Sequence, residues 1–249
     1  MMIKKHIPNT LTLLNLLCGV IATIFAYNEY YMHAAVFFLA GVTFDFFDGF
    51  AARMLNVKSD VGKELDSLAD CITSGLLPSM VMFTMMCSSL AGINGDWVAD
   101  WFPVSWAELA SWAAFIIVMF SALRLAKFNL DTRQSESFIG LPTPACGLIV
   151  VFLPFLRGVD FMADALNNYW VLLGITLLCS YLLVSEIHLF ALKFKNFTWK
   201  DNREKWTLIA FSAVMICLAG WKAFPVIILV YVAMSMVISS RKCACDKKR

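Results

Sequence analysis

Windows of about 20 apolar residues recur along the whole of this chain, and they leave few folds open. Eight are marked at 9–27, 31–53, 62–88, 105–127, 141–157, 168–190, 206–220 and 223–240. In lipid, a segment of that length and polarity satisfies its own peptide groups only as a helix. The sequence therefore predicts an all-α fold: a polytopic membrane helical bundle of about eight transmembrane helices. Composition agrees, because only 15% of the 249 residues are charged, against roughly 25% in soluble domains. A net charge of +2 gives no footing for nucleic acid, and none is expected as a partner. The 8 cysteines are scattered, mostly inside the apolar runs, which is the pattern of small core residues rather than of a disulfide framework. The start has Lys4 and Lys5 before an apolar run, as a secretory signal does. That run is too long and lacks a small-residue cleavage site, so it is expected to stay as the first span.

The connections are short. The expected organisation is a membrane domain over 1–190 with about six spans, followed by a two-span extension over 191–249 with a basic tail. Basic residues set the orientation. With the N-terminus in the cytoplasm, the inner side collects all but Arg157 and Lys222 of the 20 Lys and Arg, as the positive-inside rule requires. Both termini and the turn at 54–61 are then cytoplasmic.

Against this background the stretch DFFDGFAARMLNVKSDVGKELDSLAD (45–70) stands out. Asp45 and Asp48 are spaced i, i+3, and Asp66 and Asp70 i, i+4, so each pair shares one helix face. One charge at mid-membrane costs roughly 2.5–3.5 kcal/mol on insertion scales. Four acids therefore need cations. At ~1.5 Å per residue, Asp48 and Asp45 lie roughly 7 and 12 Å beyond Arg53, and Asp66 and Asp70 roughly 6 and 12 Å beyond Gly62. On antiparallel helices all four converge at one depth in a cavity open to the cytoplasm. Carboxylate oxygens are hard ligands for Mg²⁺, Mn²⁺ or Ca²⁺, and four can hold a pair of ions. Such a pair serves displacement at phosphorus. Gly49 and Ala52 leave room beside the helix, Arg53 offers a fork to phosphate, and Gly62 permits close approach on the Asp66 face. Asp60 and Glu64 read as solvated helix-end carboxylates.

Asp45-x-x-Asp48-Gly49-x-x-Ala52-Arg53, eight residues, Gly62-x-x-x-Asp66-x-x-x-Asp70 resembles, position for position, the motif of the CDP-alcohol phosphotransferases. These are integral membrane enzymes that displace CMP from a CDP-linked lipid or alcohol by means of a second alcohol. IPNTLTLLNLLCG (7–19), LRLAKFN (123–129) and GLPTPA (140–145) further resemble the branch that uses CDP-diacylglycerol and L-serine and makes phosphatidylserine. The resemblance implies that Asp45, Asp48, Asp66 and Asp70 are metal ligands for two divalent cations, Mg or Mn, with Ca as an inhibitory occupant. It implies that Asp70 is also the general base, and that Gly49, Ala52 and Arg53 contact the nucleotide. It implies a homodimer in an inner or plasma membrane, with the active site facing the cytoplasm. Asn9, Thr12 and Asn15 on the first span are added as nucleotide-binding candidates, with hydrogen bonding between helices an equal alternative. Two departures stand: Lys127 occupies an expected Arg position, and VSEIHLF (184–190) brings in Glu186 and His188.

A serine acceptor needs a cation for its carboxylate. Lys127 and Arg133 read as snorkelling residues at the cytoplasmic face. Arg124 lies a turn deeper with Asn129 near it, and these two are the acceptor-binding candidates. Cys243 and Cys245 fall in the basic tail, which reads as a segment attracted to headgroups. Two rivals stay open: the same reaction with glycerol-3-phosphate or an inositol phosphate as acceptor, and a divalent-cation transporter. A phosphorylated acceptor asks for more clustered cations than Arg124. A transporter asks for acids nearer the midplane, on broken helices in paired repeats.

Overall fold

The computed structural model describes residues 2–57, 59–90, 97–99, 102–130, 137–190 and 202–246. Lys58 and Arg133, and the side chains of His188, Cys243 and Cys245, lie outside what it describes.

The apolar windows form the helices. α1 (Met2–Tyr27) and α2 (Tyr31–Met54) open the chain, and α3 (Asp60–Asp70) follows. A π-helical turn, Cys71–Leu76, continues α3 into α4 (Leu77–Ser89). Strands β1 (Trp97–Ala99) and β2 (Phe102–Ser105) pair antiparallel before α5 (Trp106–Ser111). α5 starts with a capping box in which Ser105 and Glu108 satisfy each other's backbone N–H groups. A 3-10 turn at Trp112–Phe115 leads into α6 (Ile116–Leu130). Then come β3 (Ser137–Ile139), α7 (Thr143–Val151), a 3-10 turn at Leu153–Gly158, α8 (Asp160–Leu166) and α9 (Tyr169–Val184). β4 (His188–Phe190) returns antiparallel to β3. α10 (Arg203–Ala219), a 3-10 turn at Gly220–Lys222 and α11 (Ala223–Asp246) complete the described chain. Among the described residues the regular structure is helical apart from the two short strand pairs.

Among the described residues, five helices are long and apolar enough to cross a membrane: His6–Tyr27, Tyr31–Met54, Asp60–Ser89, Trp106–Leu130 and Arg203–Ile238. A sixth arises if Thr143–Gly158 and Asp160–Leu166, bent by 120° at their junction, count as one span. The eight sequence windows fall mainly on helix, the one at 168–190 running past α9 into β4, and they do not give eight long straight helices. α9 has 16 residues, about 24 Å at ~1.5 Å per residue, short of the roughly 30 Å hydrocarbon core. The windows at 206–220 and 223–240 fall in one 36-residue helical stretch. It is interrupted at Gly220, whose φ of +55° suits a residue without Cβ.

α4 is the centre of the packing, with Leu77, Val81, Met82, Met85 and Met86 fully buried. It is flanked by α1, α7 and α9. Phe38 of α2 and Phe152 after α7 are also fully buried and meet edge to face at 6.4 Å. The six described cysteines, Cys18, Cys71, Cys87, Cys146, Cys179 and Cys217, are free thiols. Gly140 has φ +76°, and a Cβ there would lie 2.7 Å from the Leu183 carbonyl and 2.9 Å from that of Ser185. Its missing side chain lets the loop before α7 pass against the end of α9.

Candidate active site

The turn between α2 and α3 presents the acids. Asn56, with φ +50°, ends α2 in the left-handed conformation typical of a helix stop. The Val57 N–H closes back on the Ala52 carbonyl at 3.0 Å. Three residues later the Ser59 hydroxyl accepts the Gly62 N–H at 3.2 Å and caps α3. α1 packs against both α2 and α3, whereas α2 and α3 make little contact with each other. The two acid-bearing helices are thus splayed on a common support, and the space between them is a cleft with α1 as its floor.

The cleft is a cavity of about 340 Å³, in the range of small-ligand sites. From α1 it is lined by Pro8, Asn9 and Thr12, and from α2 by Asp48, Gly49 and Ala52. Gly62, Lys63 and Asp66 close the α3 side. Ligand oxygens of Asp45, Asp48 and Asp66 all lie within 4.8 Å of one another. Oδ1 of Asp66 is buried without a hydrogen-bond partner. Three like-charged groups held this close, one with an orphaned buried oxygen, suit an all-oxygen site for a hard divalent cation. The donor set therefore fits the expected ions.

Asp70, one turn beyond Asp66, is not a member of that mutually close trio. The Asn15 amide donates to its Oδ1 at 3.4 Å. Its charge interacts with those of Asp66, Asp48 and Arg124. On the other arm, the Thr12 hydroxyl donates to Oδ2 of Asp48 at 2.5 Å. Arg124 is 8% exposed, its Nε has no hydrogen-bond partner, and its guanidinium lies 5.9 Å from the Phe128 ring centroid. A nearly buried cation with a free donor is chemically suited to holding an anion.

The two motif glycines differ in kind. A Cβ on Gly49 would meet nothing within 4 Å, so this glycine faces open cavity. A Cβ on Gly62 would come to 3.0 Å from Oδ1 of Asn9, so this one serves the approach of α3 to α1. Of the other sequence candidates, Asn9, Thr12 and Ala52 line the cavity, whereas Asn15 is fully buried beneath it. Arg53 is exposed and does not line it. The Asn129 amide donates to Ser67 Oγ at 2.9 Å, and the Asn129 carbonyl accepts from Lys63 Nζ at 2.9 Å, so this residue ties the end of α6 to α3.

Sequence reasoning passed over Lys63, which it counted only among the inner-side basic residues, and Asp60, which it took for a solvated helix-end acid; both line the cavity. The available signal was position, since both fall within the first turn of α3, before Asp66 on the same cleft wall.

A family model described as CDP-alcohol phosphatidyltransferase matches residues 5–182. The chain is 35% identical over 184 residues to a CDP-diacylglycerol–serine O-phosphatidyltransferase of Bacillus subtilis (strain 168), covering 74% of this chain and 89% of that protein. A protein of the same name from Helicobacter pylori (strain J99) is 29% identical over 214 residues, 85% of this chain and 79% of its own. One from Methanocaldococcus jannaschii is 27% identical over 181 residues, 73% of this chain and 72% of its own.

Proposed function

This chain belongs to the CDP-alcohol phosphatidyltransferase family, and on that premise we propose that it transfers the phosphatidyl group of CDP-diacylglycerol to L-serine, giving phosphatidylserine and CMP. The observation that carries the reaction type is the mutually close trio Asp45, Asp48 and Asp66, of which Asp48 and Asp66 line the cavity, with Asp70 one turn beyond Asp66. The serine acceptor is supported by the names of the relatives above and by Arg124, a nearly buried cation whose charge interacts with that of Asp70.

The four aspartates would hold two divalent cations, Mg²⁺ or Mn²⁺. Bound there, such ions supply neutralisation of the charge that builds on the diphosphate as CMP leaves. Asn9, Gly49 and Ala52 line the nucleotide side, with Arg53 beyond them toward phosphate oxygens. Asp70 takes the proton of the serine hydroxyl. The hydroxyl oxygen then forms its bond to the lipid-side phosphorus as the bond from that phosphorus to the CMP oxygen breaks. Arg124 holds the serine carboxylate, and Asn129 keeps α6 against α3 so that the guanidinium faces Asp70.

In the membrane we place both termini and the cleft on the cytoplasmic side, where 18 of the 20 basic residues collect. We read α9 and the two halves of Arg203–Ile238 as spans as well, which restores eight. The inner or plasma membrane is the setting this orientation serves. The test is purified protein with CDP-diacylglycerol and labelled L-serine. CMP and labelled lipid appear in equal amounts, and only with Mg²⁺ or Mn²⁺ present. Metal uptake into vesicles without CMP release would instead make the acids a transport site.

A further inference from the structure

We infer that Thr12 and Asn15 are positioning residues for the cation site: one polar pair on the first helix sets a carboxylate on each of the other two arms. This rests on the reading of the four aspartates as that site.

α1 presents a buried stripe along its length, and toward the far end it is made of Cys18, Gly19, Ala22 and Ala26. At the level of the acids the stripe turns polar, at Thr12 and Asn15, which are i, i+3 neighbours on one face. Thr12 is 3% exposed and Asn15 fully buried, so neither is a solvated residue. Their hydrogen bonds divide between the arms: Thr12 donates to Asp48 of α2 at 2.5 Å, and Asn15 to Asp70 of α3 at 3.4 Å. Since the backbones of α2 and α3 make little contact with each other, α1 is the shared support against which both arms place their carboxylates.

Thr12 is unlike its neighbours on the same helix. Thr10 and Thr23 bond back to the carbonyls four residues earlier, His6 and Gly19, each at 2.8 Å. Such bonds are the ordinary fate of a hydroxyl in an apolar helix. Thr12 lies 3.1 Å from its own such carbonyl on Pro8, but its single proton has the shorter and charged partner in Asp48.

Asn15 is itself held from two sides. The Thr73 hydroxyl, in the π-helical turn three residues after Asp70, donates to the Asn15 backbone carbonyl at 3.2 Å. Gly41 of α2 has no Cβ to collide with Oδ1 of Asn15, which a Cβ would approach to 3.0 Å. Oδ1 is therefore walled in, and the amide N–H₂ is directed at Asp70. With one Asp70 oxygen engaged by Asn15, the other is left for proton transfer. A nucleotide-contacting role, in contrast, asks Asn15 to reach a cavity that it does not line.

The test uses the full-length protein in nanodiscs with Mn²⁺ as the probe, titrated by electron paramagnetic resonance without substrates. Thr12→Val is expected to weaken Mn²⁺ binding about 10–100-fold, the usual loss on removing an orienting partner of a ligand. Thr12→Ser, which keeps the hydroxyl, is expected to stay within about threefold of the parent. Adding Thr12→Val to Asp48→Asn should change nothing further, because the threonine acts through that carboxylate. Asn15→Leu is expected to lower kcat for CMP release about 10–100-fold and to leave KM for CDP-diacylglycerol unchanged.

Mn²⁺ binding by Thr12→Val at the parent's affinity overturns the inference. So does a Thr12→Ser protein as impaired as Thr12→Val, or an Asn15→Leu protein altered in KM alone. Where the valine variant fails to fold, the serine variant carries the decision by the same criterion. A parent chain that binds no Mn²⁺ refutes the cation site itself, a result distinct from a parent that binds with variants unaffected.

Discussion

Replacing Gly19 by alanine adds one methyl group where the structure has no space for it. The new Cβ would clash with the Thr73 hydroxyl and lie 2.9 Å from Thr73 Cα and 3.1 Å from Thr73 Cβ. Carbon contacts settle at about 3.5–4.0 Å, and the nearest carbon is the backbone Cα of Thr73, so α1 and the π-helical turn must separate by roughly 0.5–1 Å. Overpacking of this kind costs about 1–3 kcal/mol. For a chain of this size, 1 kcal/mol moves Tm by roughly 2–4 °C, so a fall of about 3–10 °C is expected. The activity loss is separable. Asn15 sits one turn before Gly19, and its 3.4 Å bond to Asp70 is already beyond the common range of about 2.7–3.2 Å. The same separation breaks it, and losing a donor to a charged acceptor is worth about 1.5–3 kcal/mol. CMP release from CDP-diacylglycerol by the folded protein should fall about 10–100-fold. Gly174→Ala is the control, because a Cβ there meets nothing within 4 Å. A Gly19→Ala protein with the parent's Tm and rate would refute the claim that this contact sets the geometry at Asp70.

Two further perturbations separate the cavity from the scaffold. Gly49→Leu fills open cavity, so Tm should hold within about 2 °C, while KM for CDP-diacylglycerol rises at least about tenfold because the nucleotide side is narrowed; a variant with normal KM places the nucleotide elsewhere. Arg157→Met removes donations to the Met85 carbonyl at 3.3 Å, Ser88 Oγ at 3.2 Å and the Leu166 carbonyl at 3.2 Å. Stability should drop by about 2–3 kcal/mol, read in thermal melts, with kcat of the folded protein unchanged.

The parts of this molecule legible in its sequence are those dictated by local pattern. Apolar windows located the long helices, with some ends off by up to seven residues as at the start of α1, because lipid leaves the backbone no alternative. The spacing of Asp45, Asp48 and Asp66 put their carboxylates on facing surfaces, and the structure brings these three together. What escaped depends on packing between distant segments. The π-helical turn at Cys71–Leu76 has no signature in its own residues. It arises where Thr73 fills the notch left by Gly19 and Gly41 and where Gly75 approaches Ser121. The 120° bend after Gly158 follows Pro154 and Gly158, residues that a hydropathy window averages away. Asn15 looked like a nucleotide contact because polarity at that depth was visible, whereas its partner, 55 positions away, was not. Lys63 counted only as a positive charge until its bond to the Asn129 carbonyl appeared.

On the function proposed above, this cleft joins a phosphatidyl group to serine. The direct measurement is CMP release by the purified protein from CDP-diacylglycerol, with L-serine, glycerol-3-phosphate and an inositol phosphate supplied separately, each with and without Mn²⁺. Metal-dependent release with L-serine alone is expected, together with its loss in Asp70→Asn. Release with a phosphorylated acceptor and none with serine would contradict it.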